Sequence, residues 1–258
     1  MRFCSLGSGS SGNATIVEAS SGITTTRLLI DAGFSLREID LRLARAGLEA
    51  SDLDAVFVTH EHGDHVGCAL GLAERHDLPV WMSRGTWRSL GPQPWRAGVR
   101  FARDGEAISV GDLELHPFTV AHDAAEPLQL CCTDGSARVG VLTDLGSITP
   151  HMLAAISGCD GLVLECNHDA AMLAGSRYPP SLKARIGGRL GHLSNGTAAD
   201  LLTQCRSARL RHVVAAHLSR ENNRPEIAQL ALASAWGREP PDVVVADPGI
   251  GFGWLEVS

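Results

Sequence analysis

The chain lacks the sequence features of secreted and membrane-spanning proteins. Its seven cysteines include no Cys-x-x-Cys spacing, and the first twenty residues contain no charged segment followed by an apolar one, the order typical of a secretory signal. No uninterrupted apolar run approaches the roughly 18 to 20 residues needed to cross a bilayer. These absences predict reduced thiols in a cytoplasmic protein with no membrane role.

Nucleotide-binding fingerprints and interdomain linkers are missing too. The glycine-serine loop at 7–12 is not followed by the Lys-Ser/Thr of a P-loop, and no G-x-G-x-x-G fingerprint leads into a helix. We interpret this loop as a connection between the first two strands, with Asn13 placed to brace a site. Strand and helix signals alternate without a linker, and 258 residues, 44% of them hydrophobic, suffice for one α/β core. We therefore predict one domain, 1–258.

The periodicity of apolar residues predicts the elements of this domain. A capping box at 35–38 opens a helix that ends at Gly47, and further helices are predicted at 66–76, 149–157, 195–205 and 225–236. Strands are predicted at 2–6, 13–19, 26–31, 54–59, 79–82, 99–102, 107–110, 112–120, 127–133, 138–143, 160–166, 212–216, 242–246 and 252–256.

A dense group of metal-binding side chains follows the apolar run 54–58. The segment 59–65, Thr-His-Glu-His-Gly-Asp-His, holds three imidazoles and the carboxylate of Asp64 within six positions. Imidazole nitrogen and carboxylate oxygen form the ligand set that Zn²⁺, Mn²⁺ or Fe accepts. A strand that leads into a tight turn can direct His60 and His62 to one side and Asp64 and His65 to another. The segment therefore predicts two adjacent ions.

Three further candidate ligands each follow an apolar run of strand character, where a sheet delivers side chains to its rim. They are His122, Asp144 and His217. Together with 59–65, this pattern resembles the metallo-β-lactamase fold superfamily, in which His-x-His-x-Asp-His is followed by a lone His, an Asp and a last His. The resemblance implies an α/β fold, a four-layer αββα sandwich. It also implies one ion on His60, His62 and His122, a second on Asp64, His65 and His217, and Asp144 shared by both.

Four other segments narrow the resemblance. The segments 5–13, 164–169, 191–195 and 216–223 are similar to the YycJ/WalJ/VicX group of bacterial metal-dependent hydrolases, related to ribonuclease Z and the PhnP phosphodiesterase. Cys166 stands where this group leads us to expect Ser. The resemblance implies a 5′-to-3′ exodeoxyribonuclease. Only 73 positions separate Asp144 from His217, too few for an inserted substrate-binding domain, so recognition must come from loops of the sandwich or from a second subunit.

The charge distribution bears on the substrate. The chain has 22 basic and 29 acidic residues, a net charge of −7, which argues against binding nucleic acid through its overall field. Segment 177–224 reverses the balance, with nine basic and two acidic residues. A positive surface beside the metals would suit phosphate oxygens. The alternative is that these arginines solvate outer helix faces.

Two more histidines are candidates for contact with the substrate. His192 precedes a helix that Ser194 or Asn195 could cap, so its ring would lie near a helix N-terminus that attracts anions. Resemblance to ribonuclease Z implies that His192 acts on the scissile phosphate or protonates the leaving oxygen; a purely structural role is the alternative. His168 could contact substrate or hydrogen-bond a loop.

The sequence thus predicts two-metal hydrolysis of a phosphodiester. Asp144 would set the spacing of the ions, Asp64 would orient the nucleophile, and His192 would act at the leaving group. The substrate is nucleic acid with an accessible end, with DNA favoured over RNA. Two alternatives stay open: hydrolysis of a small cyclic phosphodiester, lactone or thioester on the same scaffold, and a non-enzymatic zinc-binding regulatory role.

Overall fold

Two mixed β-sheets form the centre of the molecule. The computed structural model describes residues 1–93 and 98–257, and within these ranges each sheet has seven strands. The first has the order β14-β1-β2-β3-β4-β5-β6: Phe252–Glu256, Arg2–Gly7, Ala14–Ser20, Thr25–Ile30, Ala55–Phe57, Val80–Met82 and Val99–Phe101. The second has the order β13-β12-β11-β10-β9-β8-β7: Val243–Val245, His212–Ala216, Gly161–Glu165, Arg138–Leu142, Leu128–Thr133, Leu113–Thr119 and Ile108–Val110.

Helices cover the outer face of each sheet. Those of the first half are α1 (Leu36–Arg45), α2 (Gly63–Val66), α3 (Ala69–His76) and α4 (Arg84–Ser89). Those of the second half are α5 (Pro150–Ala155), α6 (Ala170–Gly175), α7 (Pro180–Ile186), α8 (Asn195–Cys205) and α9 (Pro225–Trp236). Short 3₁₀ turns occupy Ala50–Asp52 and Pro240–Asp242.

Alternation along the strands divides the buried apolar side chains into three layers. In β3, Leu28 and Ile30 pack between the two sheets, whereas Leu29 packs outward against α1 and α3. In the second sheet, Val163 points to the space between the sheets and Leu162 packs outward against α5, α8 and α9. This period-2 pattern gives each sheet two buried faces. The four-layer αββα sandwich is therefore confirmed.

Strand direction determines where the polar rim lies. In the first sheet β3, β4, β5 and β6 run parallel, and in the second β10, β11, β12 and β13 do so. Strand β8 is antiparallel to β9, which is antiparallel to β10, so β8 runs in the same direction as β10. Residues that follow these strands meet along one edge of the sandwich.

The predicted helix 66–76 is wrong at its start. The chain forms the single turn α2, breaks at Gly67 (φ 32°), and resumes as α3. A side chain at Gly67 would place its Cβ 2.3 Å from the backbone oxygen of Ala32. The break thus lets the metal-motif loop lie against the segment after β3, where His65 O accepts from Ala32 N at 2.9 Å.

Three short helices, α4, α6 and α7, were not predicted. They span only six or seven residues, too short for a 3.6-residue periodicity to stand out. The signals that could have found them are their starts: Ser83 and Asp169 accept capping hydrogen bonds, and Pro180 opens α7. None of the helices in the described part of the chain has the length and apolar character required to span a membrane.

Candidate metal centre

Three site residues lie one or two positions after a strand end, in the left-handed backbone region. They are Asp31 (φ 61°), Asp144 (φ 59°) and His217 (φ 53°), which come after β3, β10 and β12. This conformation is uncommon outside glycine, although Asp and His tolerate it better than most residues. It turns each side chain out of the strand alternation and toward the space between the sheets' rims. Such strain persists where the surrounding structure imposes it, as at functional sites.

The first group of predicted ligands lies close together. His60 Nε2 is 3.0 Å from His62 Nδ1, and His122 Nε2 is 3.3 Å from the same atom. Asp144 Oδ2 lies 3.4 Å from His60 Nε2. His60 and His122 are buried, whereas 30% of the His62 side chain is exposed. The group is therefore open to solvent on one side only.

The second group shares Asp144 with the first. Asp144 Oδ2 lies 2.6 Å from His65 Nε2, and Asp144 Oδ1 contacts His217 Nδ1. Asp64 Oδ2 is 3.7 Å from both His65 Nε2 and His217 Nε2. The two oxygens of one carboxylate thus face different sets of imidazoles. The four donors of each group lie within 4.8 Å of one another, a spacing that suits a metal ion.

Asp31 orients His65 from behind. Its Oδ2 accepts from His65 Nδ1 at 2.7 Å and from Thr59 Oγ1 at 2.9 Å, and its Oδ1 accepts from Thr59 N at 2.8 Å. Burial opposes a charge on His65, but Asp144 and Asp31 outweigh it and hold its pKa well above the usual value. With Nδ1–H donated to Asp31, Nε2 is the atom that faces the site, which is the arrangement of an oriented metal-ligating histidine.

Asn13 braces the same loop, as its position suggested. Its Nδ2 lies 3.1 Å from His65 Nε2 and donates to Asp64 O at 3.2 Å. Ser8, in the glycine-serine loop between β1 and β2, accepts from His217 N at 2.9 Å. The loop and Asn13 directly after it therefore support the site with side chains. Gly33 allows the approach, because a Cβ there would lie 1.7 Å from Asp64 O.

Glu165 is the central support of His192. Its Oε1 accepts from His192 Nδ1 at 2.7 Å, and its Oε2 accepts from Leu145 N at 3.0 Å and Leu193 N at 3.1 Å. Burial opposes the charge on His192, but Glu165 and Asp144 outweigh it and raise its pKa to about 11. Asp144 Oδ1 is 3.2 Å from the same nitrogen. His192 thus presents Nε2 toward solvent while Nδ1 is held from within.

The donor set fits divalent metal. His217 Nε2 is fully buried and has no hydrogen-bond partner in the described part of the chain, although Asp64 Oδ2 faces it. A buried polar atom without a partner is costly, and a cation between imidazole and carboxylate would satisfy both. Burial lowers the pKa of His60 to about 4 and also lowers that of His122. Both rings are therefore neutral near pH 7, the form that binds metal, whereas nearby carboxylates raise the pKa of His65 and His217, where a bound ion would have to displace a proton.

An ion pair links α7 to the rim of the site. Arg185 Nε lies 2.7 Å from Asp123 Oδ2, and Asp123 Oδ1 lies 3.4 Å from His122 Nε2 and 4.0 Å from His62 Nε2. The Arg185 guanidinium helps to lower the pKa of Asp123, against the opposing effect of burial. The charge of Arg185 is thus largely matched by a carboxylate. It is not freely available to a phosphate.

The basic residues of 177–224 do not form one surface. Lys183 and Arg185 lie on α7 next to the site, but Arg209 lies at the opposite end of the second sheet, where it pairs with Asp160 at 3.0 Å. Asp160 precedes β11 and accepts from Arg138 N, at the start of β10. The positive surface predicted beside the metals could therefore come from only part of this segment. The basic residues are separated by α8 (Asn195–Cys205), which carries the chain from one end of the second sheet to the other.

The comparisons with known proteins agree with this geometry. The model of the β-lactamase superfamily domain matches residues 26–217. The chain belongs to this superfamily. Within it, the chain is 34% identical over 257 residues to exodeoxyribonuclease YycJ of Bacillus anthracis, covering 98% of this chain and 92% of that protein. It is 31% identical over 255 residues to exodeoxyribonuclease WalJ of Streptococcus pneumoniae strain D39, covering 97% and 91%. The resemblance to the YycJ/WalJ group is confirmed.

Solved structures of the superfamily show the same fold. YhfI of Bacillus subtilis aligns with a TM-score of 0.73 at 16% identity over 98% of both chains. Zinc-bound PqqB of Methylobacterium extorquens aligns with a TM-score of 0.73 at 18% identity, over 99% of this chain and 100% of that one. A diphosphatase of the PhnP family aligns with a TM-score of 0.67 at 18% identity, over 100% and 98%. At these identities the likeness concerns the fold.

The structure brings all seven predicted ligands and His192 together. Their assignment to two ions remains a prediction, as does the catalytic role of His192. Three carboxylates of the site were missed: Asp31, Asp123 and Glu165. Each follows or ends an apolar run, as Asp144 does, so the same signal was available for them. His168 lies beside the site and is 3% exposed.

Proposed function

We propose that the protein is a dinuclear-metal phosphodiesterase of the cytoplasm that removes nucleotides from DNA ends in the 5′-to-3′ direction. One observation carries the proposal: Asp144 lies between two groups of imidazoles and carboxylates in a chain 34% identical to an exodeoxyribonuclease. We further propose that residues 1–258 act as one hydrolase domain.

The proposed ligands divide between two ions of zinc, manganese or iron. His60, His62 and His122 would hold the first ion, Asp64, His65 and His217 the second, and Asp144 both. When bound, a pair of divalent ions lowers the pKa of water and stabilises charge on the attacking and leaving oxygens. A structural zinc site would need only four ligands, so the seven-residue set favours catalysis over a purely structural role.

His192 is the proposed catalytic residue on the leaving-group side. Glu165 accepts a hydrogen bond from Nδ1–H, which orients the ring and leaves Nε2 for substrate. Because its pKa is raised, the ring carries a proton near neutral pH. It can hold a phosphate oxygen by a charge-assisted hydrogen bond and supply a proton to the departing oxygen. Asp64, 23% exposed, reaches solvent and is placed to orient the nucleophile.

End-labelled substrates test the direction and the class of reaction. The purified chain is incubated with Mn²⁺ or Zn²⁺ and linear DNA labelled at either end, with closed circular DNA, RNA, bis-aryl phosphate and a lactone in parallel. We expect 5′-labelled DNA to release labelled mononucleotide at once and 3′-labelled DNA to shorten gradually. Cleavage of circular DNA, or turnover of the lactone alone, would contradict the proposal.

Asp144→Asn, paired with Asp160→Asn as a control, ties that activity to the site. Both carboxylates are buried, at 2% and 4% exposure, but Asp160 lies at the opposite end of the sheet beside Arg209. We expect the Asp144 variant to lose bound metal and hydrolysis together. The Asp160 variant should keep both, with lower thermal stability. Hydrolysis by a metal-free Asp144 variant would contradict the assignment.

A further inference from the structure

A pocket of about 460 Å³ adjoins the metal centre on the side of α6, α7 and α8. Its polar lining comes from His168, Lys183, His192, Ser194 and Thr197, and the rest is small or apolar. No acidic side chain lines it within the described ranges of the chain. Ligand pockets typically enclose roughly 300 to 1,000 Å³, so this one has room for about one nucleotide and not for a duplex.

His168 has an unmatched polar atom in the wall of this pocket. The residue is 3% exposed, and its Nδ1 is buried without a hydrogen-bond partner in the described residues. Its backbone is fixed by a parallel bridge to Ser194 and by Asn195 N, which donates to His168 O at 2.8 Å. A rigidly held imidazole with an unused nitrogen is unusual in a native interior. Because His168 lines the pocket and no hydrogen bond of its ring is made within the described residues, a bound group can contact the ring where the protein does not.

Two positive features accompany this imidazole. The eleven-residue helix α8 begins at the pocket, where its dipole places about half a positive charge. Lys183, the single lysine of the sequence, uses one proton to bond Ala174 O at 2.6 Å. Its ammonium group has two further protons to donate. The hydroxyls of Ser194 and Thr197 hydrogen-bond each other at 2.9 Å, which leaves one O–H to donate. This combination is suited to a phosphate group.

His192 connects the pocket with the metal centre. It lines the pocket and also lies 2.7 Å from Glu165 Oε1 and 3.2 Å from Asp144 Oδ1. A strand whose scissile phosphate lies at His192 would therefore place the neighbouring nucleotide in the pocket. We propose that the pocket binds the 5′-phosphate monoester of the terminal nucleotide. The enzyme would then cleave DNA preferentially from ends that carry a 5′-phosphate. This assignment rests on the proposed exonuclease function.

Paired DNA ends test the assignment. Identical oligonucleotides carrying a 5′-phosphate or a 5′-hydroxyl are compared with the metal-loaded full chain. We expect kcat/KM to be at least about tenfold higher for the phosphate, the size of one charge-assisted hydrogen bond. His168→Ala and Lys183→Ala should each bring this ratio toward one, mainly through KM. His151→Ala is the matched control, since His151 is exposed and bonds Asp104 instead.

The possible results separate this assignment from the proposed function. Thymidine 5′-monophosphate and thymidine are titrated in parallel, and only the monophosphate should lose affinity in the two variants. Lys183→Ala changes a partly exposed side chain, so it still tests the pocket if the His168 variant misfolds. If DNA is not cut but the monophosphate binds through His168 and Lys183, the exonuclease proposal fails and the pocket stands. If DNA is cut without end preference and both ligands bind alike, the pocket is overturned. If the two variants lose kcat/KM equally on phosphate and hydroxyl ends, the pocket binds an internal phosphodiester, and its assignment to a terminal monoester is overturned.

Discussion

Glu165→Gln should disable His192 without removing any of the seven proposed metal ligands. Glu165 Oε2 accepts two backbone N–H groups, from Leu145 and Leu193, while Oε1 accepts from His192 Nδ1. In the variant, the single amide oxygen must serve the two buried backbone donors, because leaving both unmatched would cost more than any other arrangement. The amide NH₂ then faces His192 Nδ1. Two donors cannot bond each other, so His192 Nδ1 loses the acceptor at residue 165 and keeps only Asp144 Oδ1, 3.2 Å away.

The expected loss is large and falls on kcat. General acid–base catalysis contributes about 10²- to 10⁴-fold, and replacing the carboxylate that holds a catalytic histidine by its amide costs up to about 10⁴-fold in a hydrolase. This corresponds to roughly 3 to 5 kcal/mol of transition-state stabilisation. Removing Glu165 also removes a cause of the raised pKa of His192. The alkaline limb of the pH–rate profile, where a protonated His192 is lost, should therefore move to lower pH.

The assay measures kcat, KM, metal content and the pH profile on end-labelled DNA. Glu18→Gln is the matched control: Glu18 is also a buried strand glutamate, 2.6 Å from Arg2 and 2.7 Å from Arg27, but it lies on β2 away from the site. We expect the Glu18 variant to lose stability and keep its kcat. A Glu165 variant with full metal content, wild-type kcat and an unmoved pH profile would refute the positioning role.

Further predictions concern the ligands, the acid and the surface charge. Asp31→Asn should weaken metal affinity by about 10- to 100-fold, because it removes the acceptor that orients His65; metal titration followed by mass spectrometry measures this, and unchanged affinity would contradict it. His192→Ala should keep the full metal content and lose kcat by about 10²- to 10⁴-fold, whereas an unchanged kcat would exclude a catalytic role. Arg189→Glu should weaken DNA binding and flatten its salt dependence, and Arg206→Glu, at the far end of α8, should change neither; equal effects in a binding titration would argue against a local phosphate-facing surface.

The local pattern of the sequence was enough for most of the strands and longer helices and for the candidate ligands. The periodicity of apolar residues placed strand β12 and the helices α8 and α9 at their observed bounds, because such a pattern predicts an element from its own residues alone. The concentration of imidazoles in 59–65 indicated metal, because few structural roles require such a group of donors. The four layers and the grouping of ligands came from the family resemblance. They are not encoded in any single stretch of residues.

Only the tertiary structure decided which carboxylates support those ligands. Asp31, Asp144 and Glu165 all stand at the ends of apolar strands, and one-dimensional patterns give no reason to rank them. The packing of the two sheets brings the ends of β3 and β10 to one rim, where Asp31 and Asp144, both in the left-handed backbone region, contact the His65 ring. The distribution of positive charge was decided in the same way. Helix α8 separates arginines that are neighbours in sequence by about 16 Å, the length of eleven helical residues, and only the folded chain shows which of them lie beside the site.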